Sequence, residues 1–383
     1  MSDHARPSFP MLPYLTLQHA FLAALIVLRP RWPFRLGAFT AYGFSLMYAL
    51  RCSTGNSFRD HTLGCILLGH FFTAIHLIWI TNPIKEFMHE RDRIAPERLP
   101  FDRRALWALC IFNNPRGVGW NYQLSNIPSR PSEPRWTFVR ERLKSAFRWF
   151  LLVDLMQLVE RTFPQRGADF ASLSLHGCTQ RCCTIGAIAM QYYLLAAGSV
   201  ALGWFSPSDW PDVYGRLSDA YTLRRFWGRT YHQFMRRYLG SLGKVACRLF
   251  NLQSGSWASS YLQLYVAFAI SGLIHCGGDF MANPALFGAS FPFYISQAIA
   301  ITFEDVAIGV AKRTQIRWSE LFARRVGYAW VLISQVVLST LYLNWLMRAG
   351  LAARDRMSFS LIDALGSIAS TGLSSSSFYT PLA

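Results

Sequence analysis

The sequence predicts an all-α, polytopic membrane protein of about eight membrane-spanning helices, with interfacial helices in its long cytosolic loops. Three observations carry this. Of 383 residues, 52% are hydrophobic and only 15% charged, whereas a soluble domain carries about 25% charged residues. Apolar runs long enough to cross a bilayer, about 20 residues with a range of roughly 17–25, recur along the chain. The basic residues that give a net charge of +17 sit between those runs, which is a topology pattern rather than a nucleic-acid stripe.

The first run, 11–28, is followed by Arg29, Arg31 and Arg35 and by no small-residue cleavage site, so it reads as a signal anchor. Seven more runs follow, at 36–50, 61–82, 145–159, 183–205, 258–275, 289–310 and 326–347. The second and fourth are short, and Asp154 makes the fourth the weakest. Eight crossings put alternate loops on opposite sides. Loops 29–35, 83–144, 206–257 and 311–325 then hold 28 of the 38 Lys and Arg residues, against nine on the other side. That asymmetry places the basic loops in the cytosol and both termini in the lumen. The whole chain, 1–383, reads as one integral-membrane domain with a mobile or weakly docked tail at 350–383.

Phe101–Trp120 and Trp204–Phe234 mix aromatic residues with arginines, which suits interfacial helices at headgroup level. The eight cysteines are scattered, apart from Cys178, Cys182 and Cys183 in one expected loop. No Cys-x2-Cys pairs with a second, which argues against a structural zinc site, and no metal is expected. The chain has no Gly-x-Gly-x-x-Gly, Gly-x-Ser-x-Gly or Walker loop. This argues against dinucleotide chemistry, a serine esterase and ATP hydrolysis.

Three stretches carry chemistry. Asn113–Asn121 is a glycine- and asparagine-rich turn whose Arg116 either meets a phosphate or packs beside the membrane. Tyr214–Arg237, drawn as a helix, puts Arg225, Arg229 and Arg236 near one face. It is either an interfacial helix on anionic lipid or a portal for a phosphate-rich cofactor, since arginine donates bidentately to phosphate. His275 closes an apolar run. A histidine at that depth needs a partner or a task; a desolvated neutral imidazole accepts a proton from an alcohol. His275-Cys-Gly-Gly-Asp279 also spells His-x-x-x-Asp, a pattern short enough to match by chance. Glu304 and Asp305, two carboxylates inside an apolar run, demand a cavity or an arginine.

Phe226-Trp227-Gly228-Arg229-x-x-His232-Gln233, followed by Phe268-x-x-Ser271-Gly272-x-x-His275, resembles the membrane-bound O-acyltransferases. The likeness is to their wax-synthase-like branch and its fungal terpenoid and meroterpenoid acetyltransferases. Asn114-Pro-Arg-Gly-Val-Gly-Trp120 and Phe303-Glu304-Asp305 add to it, and the resemblance covers roughly 110–310. It implies a catalytic His275 and, at His232, a second polar residue that is asparagine in many relatives. It implies a helical bundle around a tunnel, with His232 at the cytosolic end and His275 at the other. It implies acetyl-CoA as co-substrate, no permanently bound cofactor, a hydrophobic alcohol as acceptor and the endoplasmic reticulum membrane as location. Arg224, Arg225, Trp227, Arg229, Gln233, Asn114 and Arg116 are the expected cofactor-binding residues. Ser271, Asp279, Glu304 and Asp305 are expected along the tunnel. Two rivals stay open: a long-chain wax or sterol ester synthase, and a proton-coupled transporter, which would need repeat-related broken helices.

Overall fold

Short polar residues and prolines open the helices. Asn56 accepts the Arg59 N–H, Thr222 the Arg225 N–H and Ser256 the Ser259 N–H, each supplying a partner that the first helical turn lacks. The structure is a computed structural model and describes residues 6–163, 170–314, 318–348 and 359–365. All regular elements among them are helical. In chain order they are α1 (Met11–Leu28), α2 (Trp32–Arg51), α3 (Ser57–Ile75), α4 (Pro83–Glu86), α5 (Phe101–Asn113), α6 (Arg135–Thr162), α7 (Phe170–Ala201), α8 (Leu223–Arg225), α9 (Arg236–Leu249), α10 (Trp257–Ala282), α11 (Phe291–Arg313) and α12 (Glu320–Arg348). Two π-turns, His76–Ile80 and Phe226–Thr230, extend α3 and α8.

Among the described residues, six helical segments are long and apolar enough to cross a membrane: Met11–Leu28, Ser57–Ile80, Ala171–Ala201, Trp257–Ala282, Pro284–Arg313 and Glu320–Tyr342. Eight were expected. The other two are helices, but α2 is diluted by Gly, Ser and Thr, and α6 carries nine charged residues. Leu12, Leu17, Leu195, Ile299, Phe303 and Leu332 lie exposed on the apolar helices, where hydrocarbon solvates them and water would not. Three boundaries also move. The Cys178–Cys183 cluster lies in α7, not in a loop. Segment 214–237 is not one helix but a chain of short turns. The sixth span runs beyond its expected end at His275 to Ala282, about 10 Å further, because Asp279 finds partners in the next turn.

The chain packs as two units, Met1–Arg130 with Pro211–Leu351, and Pro131–Trp210 with Ala352–Ala383. In the second, α6 packs against α7, and Val153 meets the gap left by Gly186. Asp154 Oδ2 accepts the Leu361 and Ile362 N–H groups at 2.9 and 3.0 Å and so caps the helix at 361–365. The rest of the expected mobile tail, other than 359–365 here, lies outside the described residues.

In the first unit, the loops gather at two ends. At one, Arg6 donates to the carbonyls of Met281 and Ala282 and pairs with Asp60 at 3.4 Å, while Phe9 N–H donates to Ser53 O. At the other, Arg29 meets Thr81 O, Arg116 meets Pro211 and Asp212, Asn126 meets Gly228 O, and Tyr328 meets Ser218 O. Between the ends, α3 and α10 pack backbone to backbone. A Cβ on Gly64 would strike the Gly277 carbonyl, one on Gly277 the Leu68 side chain, and one on Gly278 the Cys65 sulfur. Small residues matter here because lipid offers helices no hydrophobic gain on association, so close packing must hold them.

Candidate active site

The turn Phe226–Thr230 and helix α10 bound a cavity of about 750 Å³. Arg224, Arg225, Arg229 and Arg236 form its basic wall, with Trp227, His232 and Gln233 beside them. Phe268 and Ser271 of α10 form the apolar side, and Ser271 precedes His275 by four residues, about one helical turn. His232 and His275 were expected at opposite ends of a tunnel; His232 lines this cavity, and His275 lies one turn of α10 beyond its Ser271.

The basic wall is built by carboxylates from α11. Glu304 accepts the Leu223 and Arg224 N–H groups at 2.6 and 3.2 Å. Asp305 pairs with the Arg224 guanidinium at 2.5 Å and accepts the Tyr261 hydroxyl at 3.0 Å. Arg225 pairs with Asp219 at 2.5 Å. These tertiary bonds, and Gly215 N–H donating to Thr230 O at 2.9 Å, hold 214–237 in turns where periodicity suggested a helix. Glu304 and Asp305 therefore anchor the wall from behind rather than line a tunnel. Trp227 Nε1–H donates to Gln297 at 3.0 Å and its ring meets the Phe268 edge, fixing the turn on the bundle.

Three expected binders have other occupations. Arg116 is 4% exposed; it donates to Asp212 O at 2.7 Å and Pro211 O at 3.0 Å and lies over the Phe234 ring. It is not at the cavity wall. Asn114 accepts the Gly117 and Val118 N–H groups, shaping a turn whose Gly117 and Gly119 sit at φ +65° and +79°, where only glycine is comfortable. Gln233 is buried and bonds to Trp227 O and Tyr231 O, while its own oxygen accepts Arg236. It braces the turn.

His232 is half-buried between Tyr231 and Phe234, with ring centroids at 4.2 and 5.1 Å. Its Nδ1 has no hydrogen-bond partner among the described residues. Burial first, then the Arg116 charge, holds its pKa down to about 4, so it is neutral near pH 7.

His275 stacks on Tyr294 at 4.4 Å, 19° from parallel. Its Nδ1 lies 3.5 Å from Cys65 Sγ, which in turn is 3.8 Å from His61 Nε2. His61 Nε2 lies 3.8 Å from Asp279 Oδ1, and Asp279 Oδ2 accepts the Ser290 N–H and hydroxyl at 2.9 and 2.8 Å. Asp279 thus reaches His61, not His275, and does not line the cavity. His61 and Cys65 were missed in the sequence. Their spacing, i and i+4 on one helical face, was the only local signal; nothing local ties them to a residue on α10.

An all-helical membrane protein whose cavity joins an arginine wall to His232, with His275 one turn beyond the cavity's Ser271, has the parts for acyl transfer from a phosphate-bearing donor. Residues 210–296, which hold both histidines, match the family described as "Membrane bound O-acyl transferase family". The chain is 32% identical to "Acetyltransferase ple2" of Rhodocybe pseudopiperita over 83% of this chain and 85% of that one. It is 27% identical to "Acetyltransferase eriL" of Hericium erinaceus over 84% and 86%. To "O-Mevalon transferase yanI" of Aspergillus niger it is 29% identical over 66% and 65%. The chain belongs to the membrane bound O-acyl transferase family. It is an O-acyltransferase, and the family's chemistry makes an acyl donor and an alcohol acceptor its substrates.

Proposed function

We propose that the protein transfers an acetyl group from acetyl-CoA to a hydroxyl of a hydrophobic, terpenoid-like alcohol. The observation that carries this is an arginine-walled cavity lined by His232 and by Ser271, one helical turn before His275 on α10. Arg229 and Arg236 are free of ion pairs among the described residues, and with Arg224 and Arg225 they suit the phosphates of CoA. The names of two relatives that match over more than four fifths of their length support acetyl.

His275 acts as general base. The tautomer with Nδ1–H toward Cys65 Sγ leaves the Nε2 lone pair for the acceptor hydroxyl. The alcohol oxygen gives its proton to Nε2 and attacks the thioester carbonyl carbon, forming a tetrahedral oxyanion. Neutral His232 donates an N–H toward that oxygen. The intermediate collapses, the C–S bond breaks, and the CoA sulfur leaves with the proton held by His275.

We place the protein in the endoplasmic reticulum membrane with eight crossings, and contacts within the first unit support that number. Arg29 meets Thr81, so α2 must return the chain to the side that α3 leaves from. Arg116 meets Asp212, so α6 must reverse what α7 crosses. The basic loops are then cytosolic and both termini lumenal.

Microsomes carrying His275→Ala test the reading: acetyl transfer should vanish while the protein level stays normal, and unchanged turnover would sink it. Acetyl-CoA and palmitoyl-CoA in competition separate this from a wax or sterol ester synthase, which would favour the long chain.

A further inference from the structure

The fold brings three soft ligand atoms together where α3 meets α10. His61 Nε2, Cys65 Sγ and His275 Nδ1 all lie within 4.8 Å of one another. Zinc held tetrahedrally by a thiolate at about 2.3 Å and an imidazole at about 2.0–2.1 Å sets those two ligand atoms about 3.5 Å apart. The sulfur here lies 3.5 Å from His275 Nδ1 and 3.8 Å from His61 Nε2. We propose that His61, Cys65 and His275 form a binding site for a soft divalent cation, Zn²⁺ foremost, and that its occupation withdraws His275 from proton transfer. The inhibitory half rests on the acetyl-transfer reading; the binding half does not.

The ligands are held, not merely near. His61 and Cys65 share a face of α3, and the absence of a side chain at Gly278 is what lets α10 approach them. Tyr294 stacked on His275 fixes the third ring. Asp279 Oδ1 accepts no hydrogen bond among the described residues and stands 3.8 Å from His61 Nε2. Its charge and that of a Cys65 thiolate match the two charges of the cation, which a poorly solvated site requires. One sulfur and two imidazoles select zinc over Mg²⁺ or Ca²⁺, which take oxygen ligands.

On binding, Cys65 releases its thiol proton and His275 Nδ1 gives its lone pair to the metal. The ring's remaining proton is then on Nε2, so the atom that should accept the alcohol proton becomes a donor. Zinc and catalysis compete for one imidazole.

Full-length protein in detergent, stripped with EDTA, is loaded with zinc sulfate, desalted and measured for metal. Wild type should retain about one zinc per chain. C65S and C65A should each retain at least about tenfold less, since a thiolate ligand is lost; C110S, which alters an exposed thiol on α5, should retain it all. In buffered zinc, acetyl transfer by wild type should fall and return with EDTA, while equal Mg²⁺ has no effect. The zinc concentration for half-inhibition should rise about tenfold in C65S, each variant being compared with its own zinc-free rate. Failure of wild type to retain zinc, retention equal to wild type in both Cys65 variants, or bound zinc that leaves the rate untouched overturns the proposal. Stoichiometric zinc on a chain with no acyl transfer under any condition would support the site and sink the acetyl-transfer reading instead.

Discussion

Gly278 on α10 faces Cys65 on α3 so closely that a methyl group there would lie 2.6 Å from the sulfur, and equally near the His61 carbonyl. The backbone oxygen cannot swing aside. Gly278→Ala should therefore push the helices apart, at a cost of about 1–3 kcal/mol from overpacking. It should also shift His275. A lower unfolding midpoint in detergent together with slower transfer is expected; a midpoint equal to wild type would contradict the close contact.

Arg229 and Arg236 differ from their neighbours at the cavity wall. Arg224 and Arg225 are committed to Asp305 and Asp219, so their loss also disturbs the fold of the turn. Arg229→Ala should raise KM for acetyl-CoA by roughly ten- to a hundredfold, as expected for a lost charged hydrogen bond, with kcat and thermal stability nearly unchanged. Arg224→Ala should lower stability as well. Steady-state kinetics beside thermal melts separate the two patterns.

His232 gives a pH signature. Its folded pKa of about 4 lies below the usual imidazole value, so between those pH values the unfolded chain binds the extra proton. Stability should rise with pH from about 4 to about 6.5 and gain nothing further from this group above that. His232→Asn should flatten that part of the curve. Melting curves across this window decide it; an unaltered slope would mean that the imidazole is not held neutral.

Asp154→Ala removes the acceptor that caps the helix at 361–365. The loss should cost about 0.5–2 kcal/mol locally and expose that segment to limited proteolysis, while transfer activity persists. Cleavage at an unchanged rate would show that the Arg161–Asp363 pair at 2.7 Å suffices to hold it.

The helices were legible because membrane insertion writes itself locally. A helix of 18 to 31 largely apolar residues has few alternatives in lipid, and α1 begins and ends where hydropathy puts it. His275 and His232 were legible by the cost of burying a histidine and by motif order. Segment 214–237 was misread because its shape depends on Glu304 and Asp305, far along the chain. Periodicity cannot see a carboxylate that arrives from another helix.

The sequence by itself determined that the chain is a helical membrane protein, where its histidines lie along it, and that its basic residues gather between the apolar runs. Only the tertiary structure decided that Arg116 serves two backbone carbonyls, that Glu304 and Asp305 support the arginine wall, and that His61 and Cys65 stand beside His275. The reason is distance in sequence. Cys65 and His275 are 210 residues apart, and what joins them is the close approach of two helices at Gly64, Gly277 and Gly278, a contact that neither helix encodes alone.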